Sequence, residues 1–312
     1  MDDLIPISLR FALYIDLMLL FGLALFGLYS LKGKERAHGA VLNFGTLLVG
    51  TALCGILLSM AAMLHMAKTM SGMASVMELH QHILQMMLME TDVGLTWMVR
   101  IASLTVAVLS TALNRRAPTL SLWLVTLCGA VALATLAWTG HGAMDEGRRR
   151  YLHLASDIVH LLGAGSWLGA LAAFALLLRS TNLTGDRQAR LLARTLTGFE
   201  SAGTLIVVTL AVTGIVNYLM VVGPAFESLT SSTYGALLSL KVILFAGMLV
   251  FAAVNRFHLS PLLERSLQAG AQTVAINALR RSMMLELSVA VIIMGLVAWL
   301  GTLSPEMEMT SE

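Results

Sequence analysis

Read for apolar and polar positions, the chain alternates eight long apolar runs with short polar breaks. The runs fall at 8–31, 39–64, 93–113, 119–139, 151–178, 201–222, 236–254 and 283–303. Each is about 20 residues or longer, the length at which an α-helix crosses a hydrocarbon core of roughly 30 Å. Within the runs the apolar residues are continuous, whereas the strands of a membrane barrel alternate between lipid-facing and lumen-facing residues. A helix also satisfies its own backbone hydrogen bonds in lipid. The pattern predicts an all-α fold, a polytopic membrane bundle of eight transmembrane helices. No internal repeat is visible, so 1–312 reads as a single membrane domain. The links 179–200 and 255–281 read as amphipathic or helical connectors.

Composition agrees with a membrane origin: 57% of residues are hydrophobic and 12% charged, against about a quarter charged in soluble domains. The placement of the basic residues then gives an orientation. Lys32, Lys34, Arg36, Arg115, Arg116, Arg179, Arg187, Arg190, Arg194, Arg256, Arg265, Arg280 and Arg281 follow the odd-numbered runs, whereas Arg10, Lys68 and Arg148 to Arg150 lie on the other side. The positive-inside rule puts both termini outside the cytoplasm, with the RRR run beside Asp145 and Glu146 as a local exception. Asp2 and Asp3 replace the basic start of a signal peptide and no cleavage site is convincing, so the first run is expected to be retained. Nothing points to nucleic-acid binding. Cys54 and Cys128 both lie in apolar runs and read as buried thiols rather than a disulfide framework.

Residues 60–90 hold nine methionines and three histidines, and the orientation puts 65–92 outside as a Met/His-rich loop. His141, Met144, Met307 and Met309 fall on the same side, while the opposite loops contain neither methionine nor cysteine. Thioether and imidazole suit Cu(I), and imidazole also suits Cu(II). Met60, Met63, Met66, Met70, Met73, Met77 and His80 recur every three or four residues, the period of one helix face. Such a stripe either packs on neighbouring helices or the bilayer surface, or it binds metal together with His65, His80 and His82. The two-residue spacing of His80 and His82 splays them on a helix but allows chelation in an extended loop.

Ionisable groups inside a bilayer are costly and are functional candidates by default. In YLHLASDIVHLLGAGSWLGAL, His153, Asp157 and His160 lie along one helical face. The carboxylate can orient an imidazole for a metal, or the set can be an interhelical hydrogen-bond network. Asp16, Arg100, Asn217 and Lys241 fall at similar depths, about 8–14 Å in, and together suggest an outward-facing polar cavity. The alternatives are snorkelling for Arg100 and Lys241, pairing of Asp16 with either, and an interhelical bond for Asn217. Glu286, near Arg281, reads as a snorkelling side chain. Cys54 and Cys128 either extend a soft-ligand path or are inert.

DIVHLLGAGSWLGAL, WTGHGA, TGIVNYLMVVG and above all STYGALLSLKVILFAGMLVFAAVNRFHLSPLL resemble the copper-resistance D family, CopD/PcoD. The resemblance covers nearly the whole chain and falls on His141, His160, Trp167, Asn217, Lys241, Asn255 and Arg256. It implies an eight-helix bacterial inner-membrane protein that transports or handles copper, beside a periplasmic copper-binding partner of the CopC type. The expected activity is transport rather than catalysis. Copper is collected on Met and His and passed through the bundle; no GxxxxGK[ST] motif offers direct ATP drive. The alternatives are a haem- or quinone-linked redox protein and a membrane anchor or sensor for a periplasmic partner.

Overall fold

The computed structural model describes residues 4–36, 41–73, 75, 77, 80–140, 142, 146–179, 186–223, 232–269 and 272–303. The helices are α1 (Leu4–Ser30), α2 (Phe44–Ser71), α3 (Gln81–Glu90), α4 (Asp92–Thr111), α5 (Pro118–Ala134), α6 (Gly147–Arg179), α7 (Asp186–Val221), α8 (Thr233–Val254), α9 (Ser260–Gln268) and α10 (Thr273–Leu300). A π-helical turn, Asn255–Leu259, joins α8 to α9. Among the described residues no strand occurs and eight helical segments are long and apolar enough to cross a membrane, as the apolar runs predict.

α1 is the central helix. It packs against α2, α5, α6 and α10, with Leu17, Leu20 and Phe26 fully buried. Its closest neighbour is α6, and glycine is the reason. A Cβ on Gly22 would stand 2.1 Å from the Gly165 carbonyl oxygen, and one on Gly169 would stand 2.3 Å from the Gly22 backbone. Gly165 and Gly169 are four apart, so a small-xxx-small face on α6 receives α1 with backbones nearly touching. α7 and α8 form the periphery and turn Leu205, Val212, Ile215, Val242, Ile243 and Val250 outward. These are lipid-facing surfaces, where an apolar exterior needs no polar face.

Two boundaries depart from the sequence pattern. α2 runs on past residue 64 to Ser71, where Gly72 takes the left-handed conformation (φ 67°) and its N–H closes on the Thr69 carbonyl. Glycine tolerates that conformation without a Cβ penalty. The Met stripe expected to continue to His80 is therefore cut. Met60, Met63, Met66 and Met70 share α2, whereas Met73 and Met77 lie beyond its cap. Residues 81–90, expected as loop, form α3, which lies so close to α4 that a Cβ on Gly94 would be 2.1 Å from the Met87 carbonyl oxygen. The link before the sixth span is largely the first turns of α7, and the link 255–281 is the π turn, amphipathic α9 and the start of α10. Both agree with helical connectors.

Arg10 marks one end of the bundle. Its guanidinium donates to the Gly301 carbonyl beyond α10 and to the Thr139 carbonyl after α5 (3.0 Å). The start of the first span and the ends of the fourth and eighth therefore meet at what is termed the termini end. The opposite, basic end is tied by Arg36 to the carbonyls of Leu28 and Leu31, by Arg194 to Glu35, and by Arg280 to the Leu178 carbonyl. The Arg148 to Arg150 run at the termini end is partly neutralised, because Arg150 pairs with Asp92 and Arg149 donates to the Met220 carbonyl.

Gly169→Ala is expected to destabilise the fold by about 1–3 kcal/mol or more through overpacking against Gly22. Gly50→Ala, at a helical glycine with nothing within 4 Å, is expected to be neutral or slightly stabilising. Thermal unfolding of the two variants in detergent checks the contrast; equal midpoints would refute the close α1–α6 approach.

Candidate functional site

α7 packs on α6 and α9 while α8 packs on α10, and α7 and α8 hardly touch each other. Between them runs a crevice, floored by α6 and α10, that holds two cavities. The first, about 190 Å³, lies toward the termini end and is lined by His153, Asp157, His160, Asn217 and Lys241 among others. Five of the polar residues singled out from the sequence thus converge in one place, contributed by α6, α7 and α8.

The α6 face is built as its 4-and-3 spacing predicts. His153 Nε2 lies 3.8 Å from Asp157 Oδ2, and His153 is 2% exposed. Asp157 Oδ1 accepts a hydrogen bond from Asn217 Nδ2 at 2.7 Å, which fixes the carboxylate to α7. His160, about two turns beyond His153, places Nδ1 2.8 Å from Thr213 Oγ1. The Thr213 hydroxyl has one proton, and it donates that proton to the Thr209 carbonyl at 2.6 Å. Toward His160 it can then only accept, so Nδ1 carries the imidazole proton and Nε2 keeps its lone pair. That is the form in which an imidazole binds a metal.

Lys241 lies within range for its charge to interact with Asp157 and with His160. Arg10, Tyr14, Tyr218 and Tyr234 complete the polar lining. Sequence reasoning did not single out these four as site residues. Their signal was helical register: Tyr14 is one turn from Arg10, Tyr234 is two turns from Lys241, and Tyr218 adjoins Asn217. His141 and Met144 lie outside the described residues. The backbone beside His141 does not: a Cβ on Gly142 would be 3.1 Å from the His153 ring and 3.2 Å from Asp157 Oδ2. Among the described residues no three His, Cys, Asp or Glu side chains converge closely enough to hold a metal ion.

Asp16 and Arg100, expected in the same cavity, are elsewhere. Asp16 follows Tyr14 by two residues, which turns it about 200° around α1, and it lies against Gly55 and the Cys54 thiol of α2. Arg100 sits on α4, which packs on α2 and α5, and its Nε donates to Thr135 Oγ1 at 2.7 Å. Asp16 pairs with neither Arg100 nor Lys241, and buried Arg100 does not snorkel. Cys54, expected buried, is exposed on α2, a position that faces lipid.

The Met/His segment divides. Met63 and Met87 are buried and pack with Met66, Leu84, Leu88 and Trp97, so this part of the stripe is a packing seam. Trp97 Nε1 ties α4 to the Ser59 carbonyl beside it. Met70 is exposed and Met77 is 97% exposed; Met73 and His65 are partly buried. His80 caps α3 in extended conformation and exposed His82 sits in its first turn. The two histidines are thus neither on a common helix nor in a common extended loop. Met307 and Met309 lie outside the described residues.

The second cavity, about 340 Å³, lies toward the basic end. Glu286, expected to snorkel, is 2% exposed there and accepts hydrogen bonds from Trp167 Nε1 and Asn255 Nδ2, both at 2.8 Å. Its position 13 residues into α10 carries it away from the surface.

Comparison with known proteins agrees with this architecture. Residues 1–151 match the family model of the Copper resistance protein D-like N-terminal domain, and residues 193–300 match that of Copper resistance protein D. Over 308 residues the chain is 53% identical to Copper resistance protein D of Pseudomonas syringae pv. tomato, covering 99% of each. The chain belongs to the copper resistance protein D family. It is also 26% identical over 310 residues to Inner membrane protein YebZ of Escherichia coli (strain K12), covering 96% of this chain and 98% of that one. Copper transport protein CutJ of Bacillus subtilis (strain 168) is 27% identical over 252 residues, 79% of this chain and 45% of that one. No solved structure matches. Eight apolar spans and these relatives make the chain a multi-pass inner-membrane protein.

Proposed function

We propose that the protein, as one membrane unit, moves copper across the inner membrane through the α7–α8 crevice, with the first cavity as its principal binding station. The observation that carries this reading is the first cavity itself, where an oriented imidazole, a carboxylate, an amide and a lysine face one another inside lipid-crossing helices. His160 Nε2 offers the lone pair, Asp157 supplies the countercharge, and His153 is a further nitrogen donor. The volume of about 190 Å³ suits an ion and falls below the roughly 300–1,000 Å³ of pockets for larger organic ligands. That disfavours a haem or quinone there.

Lys241 has a specific part in this scheme. With the cavity empty it compensates Asp157; when copper arrives, the ion replaces it as the partner of the carboxylate, and the lysine's repulsion promotes release. Asn217 holds the carboxylate in place through both states. On the positive-inside argument the termini end faces the periplasm. Copper is then delivered there by a partner of the CopC type and concentrated on Met70, Met73, Met77, His80 and His82. Met63 and Met66 serve the helix seam instead.

His160→Ala is expected to abolish copper movement into proteoliposomes, with Asp157→Asn intermediate and His153→Ala milder, all at normal protein levels. Normal transport by the His160 variant would remove the station. Replacing Met70, Met73 and Met77 together by Leu preserves apolar volume and should lower uptake only at scarce copper; unchanged uptake at full expression would return the whole stripe to packing. Orientation is checked with Met73→Cys in a background lacking Cys54 and Cys128. A membrane-impermeant maleimide is expected to label it from the periplasm, and labelling only from the cytoplasmic side would invert the scheme.

A further inference from the structure

The second cavity has no part in that scheme as far as the first station goes, yet its polar end is unusual for a membrane interior. Glu286 is a buried carboxylate whose two oxygens accept from Trp167 and Asn255, and among the described residues no Lys, Arg or His nitrogen forms a salt bridge with it. Arg256, the cationic side chain in the lining of this cavity, is already engaged. Its Nη1 donates to Thr204 Oγ1 at 2.6 Å and its Nε lies 3.7 Å from Glu200 Oε2. With Glu200 and Arg256 offsetting each other, Glu286 has no cation of the protein's own to balance it once it ionises. Two N–H donors stabilise a carboxylate, but an isolated charge in a low-dielectric interior remains costly unless a counter-cation joins it.

A second observation points the same way. Asn255 also lines this cavity, is 7% exposed, and leaves its Oδ1 buried with no hydrogen-bond partner. Buried amide oxygens are nearly always paired, so an unpaired one facing a cavity is a place where a water or an ion can bind. Its amide NH₂ is spent on Glu286, which leaves an acceptor for a cation. Asn255 opens the π-helical turn Asn255–Leu259, a backbone form frequent at functional sites. Met283 lies one turn before Glu286 on α10, is buried and lines the same cavity, adding a thioether sulfur.

We infer that the second cavity is an exit station for a single Cu(I) ion, held between the Glu286 carboxylate, the Asn255 amide oxygen and the Met283 thioether. The Met283 thioether, a soft donor, together with the copper cargo of the proposed function points to Cu(I) rather than Na⁺; the two oxygen donors hold a soft ion weakly, which suits a station that must release it. Trp167 lies seven residues beyond His160 on α6, about 10 Å along the axis, so a single helix carries both stations down the crevice. Glu286 lies behind Phe174, Phe199 and Val207 and is 2% exposed, so it becomes a local attraction for an ion leaving the first cavity when it exchanges its proton for that ion. This assignment rests on the reading of the protein as a copper permease.

The test is Cu(I) binding by the purified full-length protein under ascorbate, measured by competition with a chromogenic Cu(I) chelator. Glu286→Gln retains size and an amide oxygen but loses the charge, and is expected to bind one Cu(I) fewer than wild type. Glu286→Asp is expected to retain the ion, and Met283→Leu to weaken it about tenfold or more. In wild type, Cu(I) should also change tryptophan emission in a way that Trp167→Phe removes. Unchanged stoichiometry in a folded Glu286→Gln protein overturns the exit station; if His160→Ala still loses copper there, the first station stands alone. A response of Trp167 emission to Na⁺ but not to Cu(I) likewise overturns the assignment.

Discussion

The bundle depends on how closely α1 and α6 approach. With Gly22 set against Gly165 and Gly169, backbone meets backbone where side chains would otherwise hold the helices apart. No hydrophobic driving force operates between helices in lipid, so contact of this kind is what makes a membrane pair specific. α6 is pinned by it midway along its length. His153, Asp157 and His160 then project on the termini side of the contact, while Trp167 lies within it and reaches Glu286. Both polar sites thus take their position from one glycine-lined crossing.

The peripheral helices follow a different rule. α7 and α8 need only lie on α6 and α10, and their outward faces are lipid-exposed aliphatic surface. Because they hardly touch each other, the space between them can hold polar groups that the tight α1–α6 pair could not. Asn217 and Lys241 enter it from α7 and α8, and Asp157 meets Asn217 there at 2.7 Å. A membrane protein confines its costly polar groups to cavities shielded from hydrocarbon. Here that constraint, together with the sparse contact between two spans, produces a crevice with polar groups at both levels. Family membership makes copper the cargo of the proposed function, with imidazole donors at the first level and a thioether at the second.

Much of this was legible in the sequence, for reasons that are local. Eight apolar runs determine eight helices because lipid leaves the backbone no alternative to internal hydrogen bonding. The 4-and-3 spacing of His153, Asp157 and His160 determines a shared face because 3.6 residues make a turn. The methionine pattern likewise determined a stripe along α2, but only as far as Gly72, whose left-handed conformation ended it.

Tertiary structure decided what sequence depth could not. Asp16 and Arg100 have the same depth as Asn217 and Lys241, yet rotation about α1 and the packing of α4 on α2 and α5 carry them away from the cavity. Depth is a property of one helix; facing is a property of two. Glu286 near Arg281 read as a surface charge until Trp167 and Asn255, from helices more than thirty residues away in the chain or further, closed on it with two hydrogen bonds. Which methionines pack and which stay exposed was settled by α3, whose approach to α4 brings Met87 onto Met63. Helix formation and register are set by residues close in the chain, whereas partners across the bundle are set by helix rotation and crossing, and those depend on every contact at once.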